Sequence, residues 1–194
     1  QHMDRFLFGV EVLPAQIQAA NPLLVMVLIP LFSYLVYPSV DRIWRLTELR
    51  KIAVGMFLTV LAFAIPTWIQ VQIDQGGTPS ILWQLLAYLV LTSAEVMVSI
   101  TCLEFSYTQA PRTMKSFVRA FFMMSIAAGN LFTSAVNFVI QQEDGSSRLA
   151  GADYYQFFTL LMLVTAILFT QVARFYKGNT YLHEEIPEAM PGRD

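Results

Sequence analysis

Charge is what this chain has little of. Only 13% of its residues are Asp, Glu, Lys or Arg, whereas 56% are hydrophobic, and the mean hydropathy is +0.53. A soluble domain carries about a quarter charged residues, so a water-soluble globular fold is excluded. The net charge of -2 offers no field to a polyanion, and the basic residues sit in short clusters between apolar runs, so nucleic acid is not an expected partner. The single cysteine, Cys102, lies inside an apolar stretch. No intrachain disulfide can form, and the residue reads as a small buried hydrophobe. His2 and His183 fall in terminal segments without Cys or carboxylate spacing around them, so no metal site is expected. A Ser-His-Asp grouping, a glycine-rich phosphate loop and a zinc motif are also missing, and the chain is expected to be neither an enzyme nor a cofactor carrier. Its first residues, QHMDR, lack the basic, apolar and small-residue order of a signal peptide and read as a cut inside a longer chain.

Long apolar runs are what the chain has. A segment of ~20 apolar residues crosses ~30 Å of hydrocarbon, and that unit fits about five times. Residues 22–40 form the first run, interrupted by Pro30, which removes a backbone bond and should kink the helix. The charged connector DRIWRLTELRK leads to a second run at 52–71, with Pro66 near its end. Gly76, Gly77 and Pro79 mark a turn, and a third run, 81–105, contains Glu95. Pro111 should end that helix just ahead of itself. A fourth run spans 115–140, and a fifth, 154–176, follows the polar loop QQEDGSSRLAGAD. The expected organisation is therefore all-α and multi-span. Residues 1–21 are an external loop and the start of the first span, 22–176 a five-span bundle, and 177–194 a disordered cytoplasmic tail.

Basic loops stay cytoplasmic. With alternating loops, Arg42, Arg45, Arg50, Lys51, Arg112, Lys115, Arg119, Arg174, Lys177 and Arg193 share one side, leaving Arg5 and Arg148 opposite. The segment is thus expected to start outside and end inside. Trp68, Trp83, Tyr154, Tyr155 and Tyr176 lie at predicted span ends, where amphipathic rings favour the headgroup level.

Glu95, in LTSAEVMVSI, is the one ionisable residue well inside an apolar run. An unpaired carboxylate there costs at least about 2.5 kcal/mol on insertion scales, so such residues face a bundle interior or a water cavity and mark substrate or proton paths. No Lys or Arg of the chain lies at its depth, since Arg119 can snorkel outward. Its partner is expected to be a cationic ligand group, a proton or a basic residue from elsewhere, against the plainer reading of a hydrogen bond to a neighbouring helix. Glu104, nine residues on, lies ~13 Å further along and about half a turn round. With Arg112 and Lys115 it reads as a cytoplasmic structural ion pair. Asn21, just ahead of Pro22, either caps the first helix or faces a cavity. Ser125, Ala127, Ala128 and Gly129 leave little bulk on the fourth span and favour close helix packing, with Asn130 as interhelical glue.

The stretch SAEVMVSITCLEFSYTQAPRTMKS resembles the tenth helix and following loop of the proton-dependent oligopeptide transporter family, within the major facilitator superfamily. LPAQIQAANPLLVMVLIPLF is similar to the start of that family's eighth helix, and AAGNLF suits its eleventh. The resemblance implies the C-terminal part of a transporter, without the N-terminal bundle and seventh helix. It further implies that Glu95 engages a peptide's amino terminus and takes part in proton coupling. Asn21 would contact the peptide through its amide, and Phe122 would stand where the family has a cavity-lining tryptophan, leaving an apolar wall without an indole donor. The family's ExxER motif and the acidic residue of its seventh helix are absent from this stretch.

The expected function is that of an inner-membrane symporter part importing di- and tripeptides by alternating access, with the proton as coupling ion and no cofactor. Its partners would be peptides, lipid and the missing bundle. Two alternatives stay open: a major facilitator of another small solute, such as amino acids or nitrate, and a non-transporting membrane scaffold.

Overall fold

The structure, a computed structural model, describes residues 6–7, 10–11, 14–43, 46–110, 114–141 and 151–176, with side-chain surroundings from Asn21 onward. Two short strands, β1 (Phe6–Leu7) and β2 (Val10–Glu11), pair antiparallel ahead of the first helix. All other elements among the described residues are helical.

Helix α1 (Pro14–Leu31) runs through two prolines. Pro14 stands at its first position, where the missing N–H would have no partner anyway. The Ala-rich PAQIQAA turn that follows carries helix formers, so the helix starts well ahead of the apolar run. Pro22 and Pro30 each withhold one bond to the preceding turn, a loss that neighbouring packing tolerates in membrane helices. Just past Pro30 the winding loosens into a π segment, Phe32–Val36, where the Tyr37 N–H donates to the Phe32 carbonyl, five residues back. Helix α2 (Tyr37–Asp41) completes the span.

Helix α3 (Glu48–Asp74) is separated from α4 (Ile81–Glu95) by a tight turn in which Gly76 adopts φ +83°, a region open to glycine. The Ser80 hydroxyl caps α4 by accepting from the Leu82 N–H at 3.4 Å. Directly after Glu95, α4 passes into a second π segment, Val96–Ile100, and then into α5 (Thr101–Thr108). That helix ends three residues short of Pro111, which itself lies outside the described residues. Helices α6 (Lys115–Ile140) and α7 (Ala152–Phe175) follow.

Among the described residues, five helical stretches are long and apolar enough to cross a membrane: Asn21–Asp41, Glu48–Asp74, Ile81–Thr108, Lys115–Ile140 and Ala152–Phe175. Helix α3 is the hub, lying against α4, the second π segment, α5 and α7. The first span meets the second π segment in an apolar cluster of Leu28, Phe32, Val96 and Met97, and α3 lies against the same π segment. Gly55 of α3 allows this close approach, since a Cβ there would stand 2.7 Å from Val98 Cγ2 and 3.0 Å from Met97 Cβ. Trp68 and Trp83 meet across the α3–α4 turn with their rings tilted by 57° and 4.9 Å between centroids.

Helix α6 departs from expectation. Among the described residues it approaches only α5, at its own start, and no residue in it is buried. A Cβ on Gly129 would meet nothing within 4 Å, and Asn130 is exposed. The small-residue stripe is therefore not packed against another helix among the described residues. The Tyr154 hydroxyl of α7 donates to Asn137 Oδ1 of α6 at 3.0 Å.

Candidate functional site

Asn21 lies a full turn and more inside α1, so its side chain does not cap a helix start: the helix formers ahead of it carry the winding past that point. Instead the half-buried amide reaches α4, where Thr92 Oγ1 stands 2.7 Å from Asn21 Oδ1. Thr92 is 0% exposed and also lies 2.8 Å from the Tyr88 carbonyl.

Glu95 follows Thr92 by three residues, a spacing that places side chains side by side on a helix. Thr92 thus holds Asn21 across the α1–α4 seam, one helix turn from Glu95. The Glu95 side chain is exposed and, among the described residues, has no hydrogen bond or ion pair. It also continues a stripe of α4 formed by Gln84, Tyr88 and Leu91, at the helical i, i+3, i+4 spacing. Those three residues line a cleft of about 290 Å³ together with Phe63, Gln70 and Tyr155 from α3 and α7. This cleft holds none of the predicted site residues, while Glu95 continues the same helix stripe one turn beyond Leu91.

Phe122, on α6, is half-buried. Since α6 makes no close approach to α1 or α4, the structure sets Phe122 apart from Asn21 and Glu95. The three residues do not form one contact cluster within this chain.

The residues read as a cytoplasmic ion pair also separate. Arg112 lies outside the described residues, and among those described no ion pair joins Glu104 to Lys115. Lys115 lines a cleft with Tyr107, Ser116 and Arg119, whereas Glu104 bears electrostatically on Tyr37, which also shares a side-chain hydrogen bond with Thr101. Lys51 Nζ stands 4.5 Å from the centroid of the same Tyr37 ring. The second π segment changes the angle between Glu95 and Glu104 as well. One surplus residue in a turn subtracts about 100°, so the two carboxylates lie about a quarter-turn apart instead of half.

Sequence reasoning missed Thr92 and Gly55. The signal for Thr92 was present, as a hydroxyl three residues before a buried-span carboxylate, on the same helix face. Gly55 carried no signal, because its role depends on which helix lies over it.

Comparison with known proteins agrees with this architecture. Residues 1–157 match the model of the POT family (PTR2). Solute carrier family 15 member 2 of Rattus norvegicus is 40% identical over 97 residues, which are 50% of this chain and 12% of that protein. Peptide transporter family 1 of Drosophila melanogaster is 43% identical over 101 residues, 52% of this chain and 13% of the relative. The crystal structure of an auto-inhibited POT family peptide transporter superposes with a TM-score of 0.84 at 32% identity, covering 94% of this chain and 36% of that one. A proton-dependent oligopeptide (POT) family transporter gives a TM-score of 0.66 at 34% identity, over 87% of this chain and 35% of that one. The chain thus spans roughly an eighth of these curated relatives and about a third of the solved transporters. Matched by the family model over most of its length and superposable on solved members, this multi-pass helical chain belongs to the POT family.

Proposed function

We propose that this chain forms part of a proton-coupled symporter that imports di- and tripeptides, and that it supplies one wall of the peptide cavity. The observation that carries the reading is Glu95. It is an exposed carboxylate in the middle of a membrane-spanning helix, without a partner among the described residues, and one helix turn from a residue that holds Asn21. A charge at that depth needs a cation or a proton, and a peptide ammonium supplies the first while coupling supplies the second. The relatives described as peptide transporters and the solved proton-dependent oligopeptide transporter support the substrate and the coupling ion.

In this reading Glu95 receives the amino terminus, Asn21 bonds the peptide backbone, and Phe122 forms an apolar wall across the cavity. The separation of α6 from α1 and α4 leaves room for a ligand between them. A further helical bundle of the same transporter closes the cavity from the other side and rocks against this one, exposing the site to either face in turn. The basic loops support an orientation in the inner, or plasma, membrane with the start of the segment outside and its end in the cytoplasm.

The test is uptake of labelled alanyl-alanine by the full-length transporter in vesicles with an imposed proton gradient, with excess unlabelled dipeptide or single alanine as competitor. The expected result is gradient-driven uptake that the dipeptide blocks and alanine does not. Competition by alanine, or uptake indifferent to the gradient, overturns the proposal.

A further inference from the structure

Thr92 is the largest side chain among the described residues to be fully buried, and it is polar. A buried hydroxyl needs partners, and this one has two oxygens within reach: Asn21 Oδ1 at 2.7 Å and the Tyr88 carbonyl at 2.8 Å. A hydroxyl has one proton and two lone pairs. It cannot donate fully to both oxygens.

Other helical threonines of this chain indicate where the proton goes. Thr59, Thr67, Thr159 and Thr170 each donate to the carbonyl four residues back, as Thr92 does to Tyr88. With the proton on Tyr88, Thr92 faces Asn21 with a lone pair, which asks for a donor. A side-chain amide has a donor end and an acceptor end of the same shape. Turned end for end, Asn21 places its Nδ2–H on Thr92 Oγ1 at the same distance, and all three groups are satisfied.

We propose that Thr92 is a positioning residue for Asn21, holding the amide with its NH2 toward α4 and its carbonyl oxygen toward the substrate. Asn21 then presents an acceptor on the wall that carries Glu95, so this wall accepts N–H groups and offers the ligand's carboxylate nothing. Without the Thr92 hydroxyl the amide turns freely, and half of its orientations show the ligand a donor. The inference rests on the reading of Asn21 as a substrate contact.

The experiment is a double-mutant cycle on the full-length transporter, reading KM and Vmax for alanyl-alanine, with Vmax scaled to the folded transporter in the membrane. Thr92→Val should raise KM about twofold, because a freely turning amide is competent in only half of its orientations, with scaled Vmax unchanged. Thr92→Ser, which keeps the hydroxyl, should return the wild-type KM. In an Asn21→Ala background Thr92→Val should change KM no further. If Thr92→Val does not yield folded protein, Thr92→Ala removes the hydroxyl without introducing a clash and takes its place in the cycle. An unchanged KM in the Thr92 variant, or an equal rise on top of Asn21→Ala, overturns the positioning role while leaving Asn21 as a substrate contact. If Asn21→Ala itself leaves KM unchanged, the substrate contact is wrong and the positioning role falls with it.

Discussion

Gly55 lies so close beneath Val98 that a Cβ on the glycine would stand 2.7 Å from Val98 Cγ2. The contact joins α3 to the π segment that follows Glu95, and Ala94 O of the same span lies 3.3 Å from the same point. Gly55→Ala therefore has to push the helices apart, and overpacking of this kind costs about 1–3 kcal/mol. The apparent Tm of the purified transporter should fall. Val98→Ala, which deletes the atom first met, should restore part of the loss in the double variant; no recovery would mean the clash is not at Val98.

Glu95→Gln keeps the shape of the side chain and removes its charge. A hydrogen bond to a charged group is worth about 1.5–3 kcal/mol, so dipeptide KM should rise about ten- to a hundredfold. Accumulation against a gradient should be lost as well, while equilibrating counterflow persists. Wild-type KM together with wild-type accumulation would remove Glu95 from both roles.

Phe122→Ala tests the apolar wall. Its cost should grow with the peptide's side chain. Competition by a phenylalanine-containing dipeptide should weaken about three- to tenfold, in keeping with ~0.5–1.5 kcal/mol for an aromatic pair, and competition by alanyl-alanine much less. Equal losses for both peptides would place Phe122 outside the side-chain pocket.

Lys51 above the Tyr37 ring tests the packing at the other end of the first two spans. Lys51→Met keeps the apolar stem and drops the charge, so thermal stability should fall by about 0.5–1 kcal/mol, while Lys51→Arg, which also stacks on an aromatic face, should hold it. A Met variant as stable as wild type would show the contact to be incidental.

The five spans were legible because hydropathy and turn residues are local properties: 52–71 and 81–105 fall inside α3 and the α4–α5 stretch, with Gly76 at the turn between them. Residues 14–20 were not, since Gln16 and Gln18 dilute the apolar signal although the backbone is helical. Glu95 stood out as a charge in an apolar run. The partner of Asn21 did not, because a threonine in a membrane helix looks self-sufficient once it bonds the carbonyl four residues back. Both π segments were invisible as well. Pro30 hinted at the first, but Val96–Ile100 contains no proline and no glycine.

That second π segment means the third span is written in two frames. Up to Glu95 a side chain's direction follows from one helical count, and from Thr101 onward from another, offset by the surplus residue. Deleting a single residue between them would leave the sequence on both sides intact yet turn Thr101 and Glu104 about 100° away from the neighbours they now meet. Insertions and deletions in this short stretch would therefore behave as rotations, so its length constrains the span as firmly as its composition does.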